Sequence, residues 1–184
     1  MKDLKLNYFE YFLSVLLDKV DNAMNNDFSI LKVQKLLFLT VAIDSGKNKN
    51  NILINNIFDN FVAMPYGHVE SDIYSAIRSD EFKFYSITSS KTLIKDSKQF
   101  DVEILELEST KKTSIDLAIN TLLLENKSLL NESPFNLVEL SHQYRSWRKY
   151  FREANLRGVN SIQIPKQEII DEEKYFHLNQ LELF

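Results

Sequence analysis

The chain has no cysteine, which excludes disulfides, thiolate catalysis and cysteine-ligated metals and fits a reducing cytoplasm. Turn formers are scarce: three glycines and three prolines serve 184 residues. Apolar runs last only a few residues, too short to span a bilayer, and the opening Met1-Lys2-Asp3-Leu4-Lys5-Leu6-Asn7 lacks a signal-peptide layout. A cytoplasmic protein with no membrane partner is expected. An excess of positive charge is missing too, and a formal net charge of -4 gives no general attraction to nucleic acid.

Hydrophobic residues make up 44% of the chain and aromatic residues 12%, enough for one sizeable core and too many for a disordered chain. No repeat or long linker divides it. One domain over residues 1–184 is expected, mainly helical in the α+β class, with a small antiparallel β element in the middle.

Residues 6–20 are apolar at nearly every position, and the exceptions Asn7, Glu10, Ser14 and Asp18 fall at helical spacing that predicts a narrow wet stripe on a buried helix. Ser29 then caps a helix from Ile30 to Ile43, apolar on most sides, with Lys32, Gln34 and Lys35 as its exposed edge. Residues 44–51 compose a loop, and 52–63 fit strand or helix. Short β-like pieces follow at Phe82 to Ile87, Thr92 to Ile94 and Phe100 to Ile104. Helical spacing returns from Ile115 to Leu123 behind a cap at Thr113 or Ser114. Ser133-Pro134 reads as an N-cap followed by proline at the first helical position, opening one helix over 135–156 that Gly158 ends. Ile162 to Ile164 is extended, and Pro165 starts a short acidic helix to about Tyr175.

Two segments stand out. In Met64-Pro65-Tyr66-Gly67-His68-Val69-Glu70-Ser71-Asp72-Ile73-Tyr74 a proline and a glycine lie close together in a chain poor in both. The residue before Pro65 is pushed toward extended geometry and Gly67 can take a positive φ, so a sharp turn is predicted, with a helix starting near Val69. The second segment is Leu137-Val138-Glu139-Leu140-Ser141-His142-Gln143-Tyr144-Arg145-Ser146-Trp147. Within the helix 135–156, Leu137, Leu140, Tyr144, Trp147 and Phe151 take helical spacing and should pack inward, Trp147 beside the Tyr66-Gly67 turn. Arg145, Arg148, Lys149 and Arg152 should share another face, with His142 near its edge. Such a face binds an acidic protein surface or phosphates, or else is solvated and paired with Glu139, Glu153, Glu168 or Asp171 to Glu173.

No catalytic residue set emerges: no nucleophile with base and orienting group can be assembled, and His68, His142 and His177 lack metal-ligand spacing. No enzyme activity, cofactor or metal is expected.

Lys32-Val33-Gln34-Lys35-Leu36-Leu37-Phe38, then the Pro65 to Tyr74 turn, then Leu137 to Trp147 together resemble the Panacea-domain family, which includes SocA-like antitoxins and proteolytic adaptors. The resemblance covers roughly residues 8–176. That family typically has Leu-Gln-Lys-Leu-Leu-Tyr in the helix, a Tyr-Gly-Pro-Val turn, and a Leu-(Thr/Ser)-His…Trp helix near its end. Here His68 and Ser71 stand where prolines are common, and Tyr144, Arg145 and Ser146 replace an acid and a proline. The resemblance implies a helical domain of a family whose members commonly bind and neutralise a cognate toxin, some handing it to a bacterial protease, while others sit in phage or mobile-element contexts. The expected partner-binding residues are Tyr66, His68, His142, Arg145, Arg148, Lys149 and Arg152, with Pro65, Gly67 and Trp147 as structural motif residues. The alternative is a nucleic-acid-binding regulator of a phage or mobile-element operon, using the same basic face.

Overall fold

A computed structural model describes residues 2–20, 26–47, 50–95 and 106–173. Helix α1 (Lys2–Leu17) buries Phe9, Phe12, Leu13 and Leu16. Glu10, expected on its wet stripe, is buried instead; its carboxylate accepts from the Phe84 N–H at 2.7 Å. Helix α2 (Ile30–Val41) begins where predicted, Ser29 Oγ accepting from the Lys32 N–H at 3.3 Å, and a 3-10 turn (Ala42–Asp44) extends it. Helix α3 (Ile52–Asn56) is capped by Asn51.

The Pro65 segment folds as a β-hairpin of β1 (Phe61–Met64) and β2 (Gly67–Glu70), paired from Phe61 with Glu70 to Met64 with Gly67. Val69 therefore lies in a strand, where the sequence suggested a helix start. Helix α4 (Ser71–Arg78) begins two residues later because the Glu70 carboxylate accepts from the Ile73 N–H at 2.9 Å. Strands β3 (Tyr85–Ile87) and β4 (Thr92–Ile94) form a second hairpin, while Phe100 to Ile104 falls outside the described residues.

Helix α5 (Ser109–Glu125) starts before the expected cap at Thr113 or Ser114. The single helix expected over 135–156 is two: α6 (Pro134–His142), opened by Ser133 and Pro134 as predicted, and α7 (Arg145–Arg157), closed by Gly158 at φ +66°. Tyr144, extended at φ -71° and ψ 133°, separates them. Strand β5 (Ile162–Gln163) pairs antiparallel with β1, giving the order β2-β1-β5, and α8 (Lys166–Ile170) is shorter than expected.

The described residues form a helix-dominated α+β fold with two small antiparallel sheets. One connected apolar cluster runs from Leu6 to Ile170, and α2 crosses its centre, packed on α5, α6 and β2. Phe38 of α2 stacks on the His68 ring and meets Phe61 and Tyr144 edge-on. No described helix is long and apolar enough to cross a membrane.

Candidate functional site: the hairpin joint and its exposed tip

Strand β2 is the edge of its sheet, and an edge strand leaves alternate backbone N–H and C=O groups without strand partners. Here side chains take the place of a further strand. The His68 N–H donates to Ser141 Oγ at 3.1 Å, and the His68 carbonyl accepts from Lys35 Nζ. The Glu70 N–H donates to Gln34 Oε1 at 2.9 Å, and the Glu70 carbonyl accepts from Gln34 Nε2 at 3.5 Å. Gln34 and Lys35 are thus buried, not the exposed edge of α2 that the sequence suggested. Lys32 is buried as well, donating to Asp27 at 2.6 Å and to the Leu130 carbonyl at 2.7 Å. Polar side chains on a core helix are tolerated when they meet backbone groups that need them.

His68 locks the joint from inside. Its ring has no exposed surface, stacks on Phe38 at 3.5 Å, and lies 2.9 Å from Ser141 Oγ through Nδ1 and 2.9 Å from Ser146 Oγ through Nε2. Ser141 Oγ already accepts from the His68 backbone, so its single proton suits Nδ1 as acceptor, leaving Nε2–H to donate to Ser146. Burial holds His68 well below its usual pKa, with Lys35 and His142 adding to the effect. Burial also lowers Lys35, to about 7; among the described residues no carboxylate pairs with it. Gly67, at φ +95°, fits because it has no side chain: a Cβ there would lie 2.5 Å from Ser141 Oγ. A hydroxyl beside an imidazole is the geometry of a nucleophile and its base, yet His68, Ser141 and Ser146 are at most 1% exposed. The trio binds α6 and α7 to the hairpin and is closed to substrate in this conformation.

Outside the joint, the tip is presented to solvent. Tyr66 is 59% exposed. Trp147, half-buried, donates from Nε1 to the Met64 carbonyl at 2.9 Å, beside the turn as expected. His142 stacks on Trp147 at 3.7 Å, and Trp147 on Phe151 at 4.9 Å. The His142 Nε2 is buried without a hydrogen-bond partner among the described residues. Burial lowers the His142 pKa, Glu139 at 3.7 Å and the Pro65 backbone oppose the shift, and Lys35 adds to it.

Arg145, Arg148, Lys149 and Arg152 are all exposed on α7. Glu168 pairs with Arg145 at 3.5 Å and with Lys149, so that one carboxylate is shared between two of the four cations. Arg148 and Arg152 have no acidic partner among the described residues and follow Trp147 and Phe151 by one position, on the flank of the aromatic stack. Of the residues expected at the contact surface, His68 lies inside the molecule, His142 is half-buried, and the others are on the surface.

Glu172 completes the site. Its carboxylate accepts from the N–H groups of Arg145 and, at 3.0 Å, of Ser146, capping α7 where Tyr144 offers no side-chain cap. On the other side of the hairpin, Asp59, Glu70 and Asp72 place oxygens within 4.8 Å of one another, a spacing that suits a metal ion. The ammonium of Lys5 fills that position, at 2.8, 2.8 and 2.6 Å from the three carboxylates. Burial acts to lower the Lys5 pKa, but hydrogen bonds to Asp59, Asp72 and Glu70 outweigh it and raise it; burial raises Glu70, against the pull of Lys5.

Comparison of the chain with protein-family models, with curated proteins and with solved structures finds no match.

Proposed function

We propose that this chain is an antitoxin-like protein-binding module that captures a cognate toxin through the hairpin tip and the adjoining face of α7, and that it also serves as an adaptor delivering the toxin to a bacterial protease. The observation that carries the reading is an exposed tyrosine on a fastened turn, together with two exposed arginines that have no acidic partner among the described residues. Tyr66 stands on a tip whose backbone is fixed from behind by Ser141, Lys35 and Trp147, and Arg148 and Arg152 project from the helix crossing it. Tyrosine and arginine dominate binding energy at protein interfaces, and a preorganised surface loses little entropy on association. The resemblance of residues 8–176 to the Panacea-domain family supports a toxin as the partner class. Sharing of Glu168 by Arg145 and Lys149 and the net charge of -4 weaken the nucleic-acid reading, since a small, partly offset cluster neutralises few phosphates.

The test is co-expression with the product of the gene adjacent to its own. The expected result is relief of that product's toxicity and a complex on size exclusion. In that complex Arg148→Glu with Arg152→Glu should weaken binding at least about tenfold, as loss of central interface residues does. Undiminished toxicity with no complex overturns the reading for that partner, and unchanged affinity in the double variant moves the interface off α7. Pulse-chase of the toxin, with and without this chain, tests the adaptor role: its half-life should shorten.

A further inference from the structure

Charge in this chain is segregated. Helix α7 holds five of the 22 basic residues and one of the 26 acidic ones, which leaves 17 basic against 25 acidic residues elsewhere, so that 13 residues carry +4 and the rest of the chain -8. Within α7, two cation pairs repeat one spacing. Arg145 and Lys149 lie four positions apart, about 6 Å along the axis, and so do Arg148 and Arg152. The first pair holds a carboxylate: Glu168 of α8 reaches Lys149 through Oε1 and Arg145 through Oε2 at 3.5 Å, and the Tyr150 hydroxyl donates to Oε1 at 3.4 Å. The second pair is exposed, and no acidic side chain among the described residues reaches it.

We propose that Arg148 and Arg152 receive an acidic side chain of a protein partner, its carboxylate seated between the two guanidinium groups as Glu168 is seated between Arg145 and Lys149. This deepens the capture surface assigned above to the tip and α7, and rests on that reading for the partner being a protein. Three features select an acidic protein segment. The first is the internal example, since Glu168 shows what this spacing accepts, and guanidinium groups match carboxylate oxygens better than an ammonium does. The second is extent. The positive region is one helix about 20 Å long, and the acidic remainder repels an anion that runs past it, as a nucleic acid does and a short acidic segment does not. The third is the neighbourhood: exposed Tyr66 and half-buried Trp147 and Phe151 adjoin the pair, and an apolar residue beside the acid meets them and excludes water from the charges. Glu168 is then an internal competitor, because a partner carboxylate that spreads toward Arg145 and Lys149 has to displace it.

The test uses the full chain and a fluorescent hexaglutamate peptide, blocked at both ends so that only its side chains carry charge. Anisotropy at low salt should show binding that falls as salt rises, and hexaglutamine should not bind. Arg148→Gln with Arg152→Gln should weaken the peptide about tenfold, Arg145→Gln with Lys149→Gln at most about twofold, and Glu168→Gln should strengthen it about threefold. None of these side chains belongs to the apolar core, and unchanged far-UV dichroism verifies the fold of each variant. Equal losses from the two pairs, or no binding of hexaglutamate by the unmodified chain, overturn the proposal. So does an oligothymidylate of about 20 nucleotides that binds more tightly than the peptide through the same arginines, since phosphate is then the ligand. Self-association of the chain that Arg148→Gln with Arg152→Gln abolishes also overturns it, by placing the acids of a second copy on the pair. A toxin complex indifferent to the arginine substitutions sinks this inference alone, whereas peptide binding at the pair without any toxin complex supports it and sinks only the toxin reading.

Discussion

Lys35 brings an ammonium group into the centre of the fold, and what receives it is a backbone carbonyl rather than a carboxylate. The charged form is therefore disfavoured: the folded pKa of about 7 lies below the ordinary lysine value of about 10.4. Between those values the unfolded chain binds a proton that the folded chain does not, so stability rises with pH across that window and the gain is lost as pH falls toward 7. His68 and His142, both lowered by burial, extend the loss below about pH 6.5, where the unfolded histidines protonate first. Melting temperature should climb from pH 7 to pH 9, and Lys35→Met should flatten that slope; an equally steep slope in the variant would assign the effect elsewhere. Gly67 is the second sensitive residue. Gly67→Ala imposes a Cβ at 2.5 Å from Ser141 Oγ and a positive φ on a residue that resists it, for a destabilisation of about 2–4 kcal/mol. In chemical denaturation the further change Ser141→Ala should recover part of this loss; strict additivity would show that the close approach is not the cause. The turn at Gly67 was legible because glycine and proline are rare here. The roles of Gln34, Lys35 and Ser141 were not, since a polar residue on a helix reads as wet unless the strand edge it serves is known.

At the level of elements, the break between α6 and α7 has no local signal, because Gln143 and Tyr144 are neither glycine nor proline. The cap arrives from Glu172, a residue remote in sequence, and the hydroxyls of Ser141 and Ser146 reach His68 from either side of the break. Two local caps were legible, Ser29 on α2 and Ser133 with Pro134 on α6, which stand where expected. Val69 shows the converse, its strand being fixed by pairing with Val62 and the following helix by the Glu70 cap. Glu172→Gln should remove the charged part of the cap and its interaction with the helix dipole, about 1 kcal/mol. Amide exchange at Arg145 and Ser146 should quicken while α2 stays protected. Exchange that is unchanged at those amides would mean that Tyr144 and its neighbours hold the break without Glu172.

For the whole molecule, the helix-dominated class was legible from apolar periodicity, whereas the way the parts are fastened lay in pairings between distant residues. Lys5 is the widest of these fastenings. It joins α1 to Asp59 ahead of β1, to Glu70 of β2 and to Asp72 of α4, and so ties the first helix to the hairpin whose β2 edge α2 and α6 complete. These bonds differ in strength because their surroundings differ. The Glu70 side chain is fully buried and that of Lys5 is 12% exposed, whereas that of Asp59 is 52% exposed and well screened by water. Lys5→Met therefore leaves a buried carboxylate without its counter-charge and should cost about 3 kcal/mol in urea denaturation, while Asp59→Asn should cost under about 1 kcal/mol. Adding Glu70→Gln to Lys5→Met should recover part of the loss, since the uncompensated charge is gone while the amide oxygen still caps Ile73. If Lys5→Met costs no more than Asp59→Asn, the triad is a surface ion pair and α1 is held by its apolar face alone. If the double variant is weaker than the single one, the Glu70 carboxylate stabilises the fold through the cap and not through Lys5.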